Sequence, residues 1–95
     1  MSNISVEAKV EKKFDVEIVY NGLEKKFKID DDDIVKQLLE RAIQHFGAQQ
    51  PHLLALYTTA GQEITNESQT VREAGIRPHD KLLLRPSQVR GGTRQ

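Results

Sequence analysis

Apolar and polar residues alternate on both sides of an Asn-Gly pair near the start of the chain. Residues 14–20 read Phe-Asp-Val-Glu-Ile-Val-Tyr, and residues 23–29 read Leu-Glu-Lys-Lys-Phe-Lys-Ile. A period of two is typical of strands with one buried face. Asn21-Gly22 joins the two runs and suits a two-residue hairpin turn, whose central residues take positive φ. The pattern predicts a β-hairpin over residues 14–29.

Helical spacing replaces this alternation after the hairpin. Residues 34–46 place apolar side chains at intervals of three and four, which forms one apolar helix face. Gly47 follows at the position where a left-handed cap is favoured. We expect the aspartates at 30–33 to cap the helix, because carboxylates accept hydrogen bonds from its free N–H groups. The apolar residues of the predicted helix are Ile34, Val35, Leu38, Leu39, Ala42, Ile43 and Phe46.

Shorter segments follow the helix. The apolar run Leu53–Thr58 predicts a strand, and Glu63-Ile64 predicts a very short one. Thr70 and Glu73 have the spacing of a capping box, which predicts a single helical turn over residues 71–75. The final predicted strand is Lys81–Arg85, which Pro86 ends because proline has no N–H for the ladder.

The order of these elements predicts an α+β fold. The single long helix can bury its apolar face only against a mixed sheet, here of four to five strands. The predicted domain covers residues 14–86. Residues 1–13 are interpreted as a flexible N-terminal tail, with an extra edge strand as the alternative. Residues 87–95 are interpreted as a flexible C-terminal arm, because they hold two adjacent glycines and a single apolar residue.

Composition excludes several classes of function. The formal net charge is zero, whereas a general nucleic-acid binder needs an excess of basic side chains. The chain has no cysteine, so it has no disulfide, thiolate zinc site or cysteine nucleophile. No apolar run approaches the roughly 20 residues of a membrane span, and no signal peptide is visible at the N-terminus. We therefore expect a cytoplasmic monomer that binds neither nucleic acid nor membrane.

Catalytic and metal-binding patterns are equally scarce. His45, His52 and His79 are scattered and have no spacing typical of a zinc site. The aspartates at 30–33 lack the alternating spacing and central glycine of a calcium loop. No glycine-rich phosphate loop is present. We expect a protein that is not an enzyme and that holds neither metal nor cofactor.

Basic residues outnumber acidic ones in the last quarter of the chain, where six basic residues accompany only Glu73 and Asp80. Arg72, Arg77 and Arg85 lie there together with Lys81, Arg90 and Arg94. One interpretation is a solvated surface that keeps the protein soluble. The other is an electrostatic docking face for an acidic groove on a partner.

Arg90-Gly91-Gly92 is the most informative segment of the predicted arm. Glycines have no Cβ, so a Gly-Gly pair can pass through a channel too narrow for other residues. A linker is the simplest alternative. An RNA-binding tract needs repeated copies and interleaved aromatic residues, and the chain holds a single copy.

Together, these features resemble ubiquitin and its β-grasp relatives over about residues 14–92. The likeness is clearest in residues 60–64 (Ala-Gly-Gln-Glu-Ile), 70–76 (Thr-Val-Arg-Glu-Ala-Gly-Ile), 82–84 (Leu-Leu-Leu) and 90–92 (Arg-Gly-Gly). The resemblance implies a protein modifier. An activating enzyme would adenylate the carboxylate of Gly92, a conjugating enzyme would carry it as a thioester, and a lysine of a target protein would receive it. Gly91, which has no side chain, would allow the C-terminus to enter a narrow enzyme channel, and the charged Arg90 would be recognised by the enzyme.

The departures from ubiquitin define the remaining expectations. Thr93-Arg94-Gln95 follows Gly92, so the resemblance implies a precursor that a peptidase cuts between Gly92 and Thr93. Bacterial ubiquitin-like proteins encoded beside activating, conjugating and zinc-dependent deconjugating enzymes share this trait, and we expect a divergent bacterial relative. Two other functions remain open: a non-covalent β-grasp interaction domain, and a sulfur carrier. The resemblance implies a partner surface that keeps little of ubiquitin's apolar patch, with the residues Thr58, Leu83, Arg85, Arg77 and Arg72.

Overall fold

Two strands from the first half of the chain and two from the second form one mixed sheet in the computed structural model, which describes residues 13–89. The sheet order is β2-β1-β4-β3. One helix covers it, so the predicted α+β fold of one helix on a sheet is confirmed, with four strands. The elements are β1 (Lys13–Tyr20), β2 (Leu23–Asp30), α1 (Val35–Phe46), a 3-10 helix (Pro51–Leu53), β3 (Leu54–Thr58) and β4 (Lys81–Pro86).

The predicted hairpin is confirmed by the antiparallel pairing of β1 and β2. Its ladder runs from Lys13 opposite Asp30 to Tyr20 opposite Leu23. Asn21 and Gly22 form the turn with φ values of 50° and 82°. Positive φ at both central positions matches the right-handed twist of the strands, so this turn fixes the register.

A parallel pair lies at the centre of the sheet. β1 and β4 pair from Glu17 opposite Lys81 to Val19 opposite Leu83. β3 then adds to the other side of β4 in antiparallel orientation. Parallel neighbours cannot be joined by a tight turn, so the chain must cross over before β4 can form. Between β1 and β4 the chain forms β2, helix α1, strand β3 and the connection of residues 59–80.

The core lies between α1 and the inner face of the sheet. Every strand contributes, and so do three positions of the long connection between β3 and β4, where Ile64, Val71 and Ile76 are each at most 7% exposed. The connection is therefore anchored in the core although it contains no regular strand. The other core residues are Val16, Ile18, Phe27, Ile29, Val35, Leu38, Leu39, Ala42, Leu54, Leu56, Leu82 and Leu84.

The N-terminus of α1 is not capped by the aspartates, so that prediction is wrong. The N-cap residue is Ile34, and the first helical turn holds no acidic residue. Backbone carbonyls of the long connection accept instead: Val35 N–H donates to Gln69 at 2.9 Å, and Lys36 N–H donates to Glu67 at 2.9 Å. Gln37 Oε1 accepts from Ile34 N–H at 3.4 Å. The long connection thus satisfies the helix donors that the aspartates were expected to meet.

The aspartates stabilise the turn before the helix instead. Asp33 Oδ2 accepts from Asp30 N–H, and Asp30 Oδ1 accepts from Asp32 N–H, each at 2.9 Å. Asp31 and Asp32 also form ion pairs with Arg72 of the long connection. The acidic run therefore ties two segments together that are far apart in sequence.

Two smaller predictions have different outcomes. The capping box is confirmed, because Glu73 N–H donates to Thr70 Oγ1 at 3.1 Å and Thr70 N–H donates to Glu73 Oε1 at 2.9 Å. Residues 71–75 then form hydrogen-bonded turns. The strand at residues 63–64 is reduced to a single bridge between Tyr57 and Glu63, because the chain turns away after Ile64.

The structure also bears on boundaries and membrane contact. Lys13 already belongs to strand β1, and Ser87 is 5% exposed, so both residues are part of the folded structure that is described. Residues 1–12 and 90–95 lie outside the described residues. No helix within residues 13–89 has the length and apolar character needed to cross a membrane.

The packing of α1 generates a first prediction. Leu38 is 1% exposed in the centre of the helix face, so Leu38→Ala removes buried apolar atoms and leaves a cavity. We expect a loss of about 2–5 kcal/mol in the free energy of unfolding, measured by urea denaturation. The control is Lys36→Ala on the exposed side of the same helix, with an expected change within about 0.5 kcal/mol. Equal effects of the two substitutions would contradict the placement of the helix.

Candidate functional site

The described chain leads directly to the predicted conjugation and processing residues without including them. Arg90, Gly91, Gly92 and Thr93 lie outside the described residues. Residues 86–89, here called the arm root, connect them to β4. The geometry of the arm root therefore determines where the glycines are attached to the domain.

The outer face of the sheet, opposite the helix, lies beside this attachment point. Leu83 of β4 is half-buried and stands in register between Val19 of β1 and Tyr57 of β3. Arg85, two residues further along β4, is exposed on the same face. Tyr57 is only 4% exposed, so Val19, Leu83 and Arg85 form a small, mixed surface of apolar and basic groups.

Thr58 does not join this surface. It stands opposite Leu82, whose side chain belongs to the core, so Thr58 lies on the inner face of the sheet. Its Oγ1 accepts from Gln62 N–H at 3.3 Å and supports the turn after β3. Tyr57, paired with Leu83, lies on the outer face of the sheet, where the resemblance to ubiquitin had placed Thr58.

The basic residues are also separated in space. Arg77 lies in the turn before β4, where its N–H donates to Asp80 Oδ2 at 2.9 Å, whereas Arg85 lies near the other end of that strand. Arg72 pairs with Asp31 and Asp32, and its hydrogen bond to Asp31 is the largest of the interactions that raise its pKa. The structure therefore does not combine these arginines into one docking face.

Glu63 is the centre of a network that fixes the arm root. Ser87 Oγ donates to Glu63 Oε2, and Gln88 N–H donates to Glu63 Oε1 at 2.8 Å. The hydroxyl of Tyr57 lies 3.2 Å from Glu63 Oε1 and 2.6 Å from the carbonyl oxygen of Pro86. We call this group, consisting of Tyr57, Glu63, Ser87 and the Gln88 N–H, the arm-root clamp.

Further hydrogen bonds hold the backbone on both sides of the clamp. Ile64 N–H donates to the carbonyl of Leu56 at 2.8 Å and places Glu63 along the edge of β3. Ser87 N–H donates to the carbonyl of Leu53 at 2.7 Å, and its Oγ accepts from Val89 N–H at 3.0 Å. The chain is thus guided along β3 after β4 has ended.

Burial and hydrogen bonding act in opposite directions on the Glu63 carboxyl. Burial raises its pKa, but hydrogen bonds from Ser87, Gln88 and Tyr57 favour the carboxylate, and the net result is a lowered pKa. Burial, followed by the charge and hydrogen bond of Glu63, raises the pKa of Tyr57. A charged Glu63 beside a neutral Tyr57 is therefore the stable arrangement at neutral pH.

No hydrophobic pattern or motif in the sequence predicted the arm-root clamp. Glu63 was assigned to a short strand and Ser87 to the flexible arm, and the two are 24 residues apart in the chain. The available signal was Tyr57, which follows three apolar residues in β3, because a buried tyrosine hydroxyl needs a hydrogen-bond partner.

Comparisons with known proteins agree with this geometry at the level of fold. No protein-family model and no curated protein matches the chain. The ubiquitin-like domain of Arabidopsis thaliana protein At2g32350 matches with a TM-score of 0.68 at 16% identity, over 86% of this chain and 85% of that one. A designed protein based on ubiquitin matches with a TM-score of 0.70 at 22% identity, over 86% and 98%. The fold is the ubiquitin-like β-grasp.

Another solved structure widens this likeness. An N-terminal ubiquitin-like domain of a different protein matches with a TM-score of 0.68 at 13% identity, covering 92% of this chain and 88% of that one. Identities this low show a shared ubiquitin-like fold and leave the function to be argued from the chain's own residues.

The lowered pKa of Glu63 generates a second prediction. A group with a lowered folded-state pKa stabilises the fold above its unfolded pKa, and that stabilisation is lost as pH falls through the folded pKa. We therefore expect the stability difference between the wild type and Glu63→Gln to be constant near neutral pH and to shrink below about pH 4. Urea denaturation at a series of pH values measures it, and a difference that does not change with pH would contradict a charged Glu63 in the clamp.

Proposed function

We propose that this protein is a ubiquitin-like modifier that is conjugated to target amines through the carboxylate of Gly92. The observation that carries the proposal is the position of Arg90-Gly91-Gly92, which begins four residues after the end of β4 on a ubiquitin-like fold. On such a fold, a Gly-Gly segment close to the last strand suits passage through a narrow enzyme channel. A simple linker would not need two adjacent glycines at this position. The residues that follow Gly92 would be removed by a peptidase.

The chemistry needs the carboxylate to become an electrophile. The Gly92 carboxylate attacks the α-phosphorus of ATP, pyrophosphate leaves, and a glycyl adenylate forms. A cysteine thiolate of the activating enzyme displaces AMP to give a thioester, which passes to a conjugating enzyme. A lysine amine of the target then displaces the thiolate and forms an isopeptide bond. Gly91 and Gly92 suit a narrow active-site channel because they carry no side chains.

The proposed partners follow from these steps. They are an adenylating enzyme, a conjugating enzyme and a processing or deconjugating peptidase, for which we propose a zinc enzyme of the kind that accompanies bacterial ubiquitin-like proteins. The domain itself acts as a cytoplasmic monomer in this proposal. The outer-face surface of Val19, Leu83 and Arg85 would be available to dock these partners, because it lies beside the arm root.

A third prediction tests the conjugation. The chain, tagged at its N-terminus and expressed in cells of its source, is expected to form covalent adducts of higher mass that resist reducing and denaturing gels. Trypsin cleaves after Arg90, so modified lysines should retain Gly91-Gly92 and be identified by mass spectrometry. Intact-mass analysis should also show the loss of Thr93–Gln95.

The control is a chain ending at Gly91, which keeps the described domain but has its terminal carboxylate one residue short of the position proposed for activation. It should form no adduct, while its spectra and stability match the wild type. If the wild type forms no adduct and retains Thr93–Gln95 in its source cells, conjugation through Gly92 is wrong.

A non-covalent interaction domain is the second candidate. Two of the similar solved structures are described as ubiquitin-like domains within other proteins. One belongs to an Arabidopsis thaliana protein and the other is an N-terminal domain, and both favour this alternative. It predicts that partner binding, measured by affinity capture, is unchanged when residues 90–95 are deleted and is weakened by Leu83→Asp on the outer face.

A further inference from the structure

The arm-root clamp is more elaborate than a simple connection between a domain and a tail requires. A carboxylate that accepts hydrogen bonds from two successive residues, Ser87 and Gln88, orients the backbone as well as stabilising it. Tyr57 contributes from the sheet and reaches the carbonyl of Pro86. Consequently, the chain is held by side chains from two other segments up to the residue before Val89.

We propose that Glu63 is a positioning residue that closes the arm root against β3 and thereby sets the point from which Gly92 is presented. Its functional meaning rests on the proposed conjugation through Gly92, whereas the clamp itself is a property of the folded domain. The three contacts of its carboxylate, with Tyr57, Ser87 and Gln88, carry the inference.

The clamp changes how far the glycine can reach. Gly92 is the third residue after Val89, so an extended chain would span at most about 10 Å beyond the closed arm root. With the clamp open, Ser87 N–H still donates to the Leu53 carbonyl, so the span is counted from Ser87 and rises to about 17 Å. A shorter tether raises the effective concentration of Gly92 at an active site that matches its span. An enzyme that needs residues 87–89 extended must first open the clamp.

Single substitutions can remove the contacts of the clamp in steps, and the charge of Glu63 can be removed without a change in side-chain size. Glu63→Ala deletes all three contacts, whereas Glu63→Gln keeps the size and one oxygen acceptor but loses the charge. Ser87→Ala removes the donor from the arm side. Glu40→Gln is the matched control, because it makes the same chemical change on the exposed face of α1.

Limited digestion of the full chain with trypsin tests the proposal without any partner enzyme. Cleavage after Arg90 requires Gln88 and Val89 to extend into the protease, so its rate reports the open fraction of the clamp. Cleavage after Arg41, within α1, reports global unfolding in the same sample.

We expect Glu63→Ala and Ser87→Ala to accelerate cleavage after Arg90 by roughly tenfold or more, without a matching increase after Arg41. Glu63→Gln should give a smaller increase, and Glu40→Gln should behave as the wild type. The proposal is overturned if Glu63→Ala leaves the rate at Arg90 unchanged, or if that rate rises only in parallel with the rate at Arg41.

A pH titration followed by NMR supplies a readout that a merely structural role would not move. The Gln88 amide proton should follow the ionisation of Glu63 in the wild type and in Glu40→Gln, and this transition should disappear in Glu63→Gln. A transition that persists in Glu63→Gln would overturn the assignment. A failure of either measurement refutes the clamp alone, whereas an absence of Gly92 adducts refutes the conjugation alone.

Discussion

The parallel pairing of β1 with β4 is the constraint on which the rest of this structure depends. Because parallel neighbours need a crossover, the helix, β3 and the long connection must all be accommodated between them. Val71 and Ile76 anchor that connection in the core, and its carbonyls cap the helix that it passes. The same pairing places the end of the last strand, and so the attachment of the Arg-Gly-Gly segment, at the centre of the sheet.

The fold determines which charged residues meet, so the net charge of zero does not indicate what each charged residue does. Arg72 is held by Asp31 and Asp32, so these opposite charges stabilise a contact between distant segments. Glu63 is used differently, because three donors compensate its desolvation and leave it ionised. Arg85 remains exposed on the outer face, beside the arm root. The charged residues named here therefore stabilise contacts between distant chain segments and do not form an extended binding face.

The clamp and the proposed conjugation place opposite demands on the last residues of the domain. Presentation of a glycine carboxylate requires a slender chain without side chains, which Gly91-Gly92 provides in sequence. Accurate presentation requires a fixed origin, which Tyr57, Glu63 and Ser87 provide in space. The residues held by the clamp, Ser87 and Gln88, are followed within a few positions by Gly91-Gly92. In the function proposed for this chain, the clamp would set the reach of the C-terminus without a change in chain length.

Local pattern determined the hairpin at Asn21-Gly22, the helix ending at Gly47, the capping box at Thr70 and the order of elements, because turn geometry, helical spacing and side-chain capping act between near neighbours. The resemblance of residues 60–92 to ubiquitin added the expected function. Only the tertiary structure decided that Gln69 and Glu67 carbonyls replace the aspartates as the helix cap, that Tyr57 rather than Thr58 faces outward, and that Glu63 holds Ser87. These contacts join segments separated by tens of residues. Their partners are selected by strand register and burial, which depend on the whole chain.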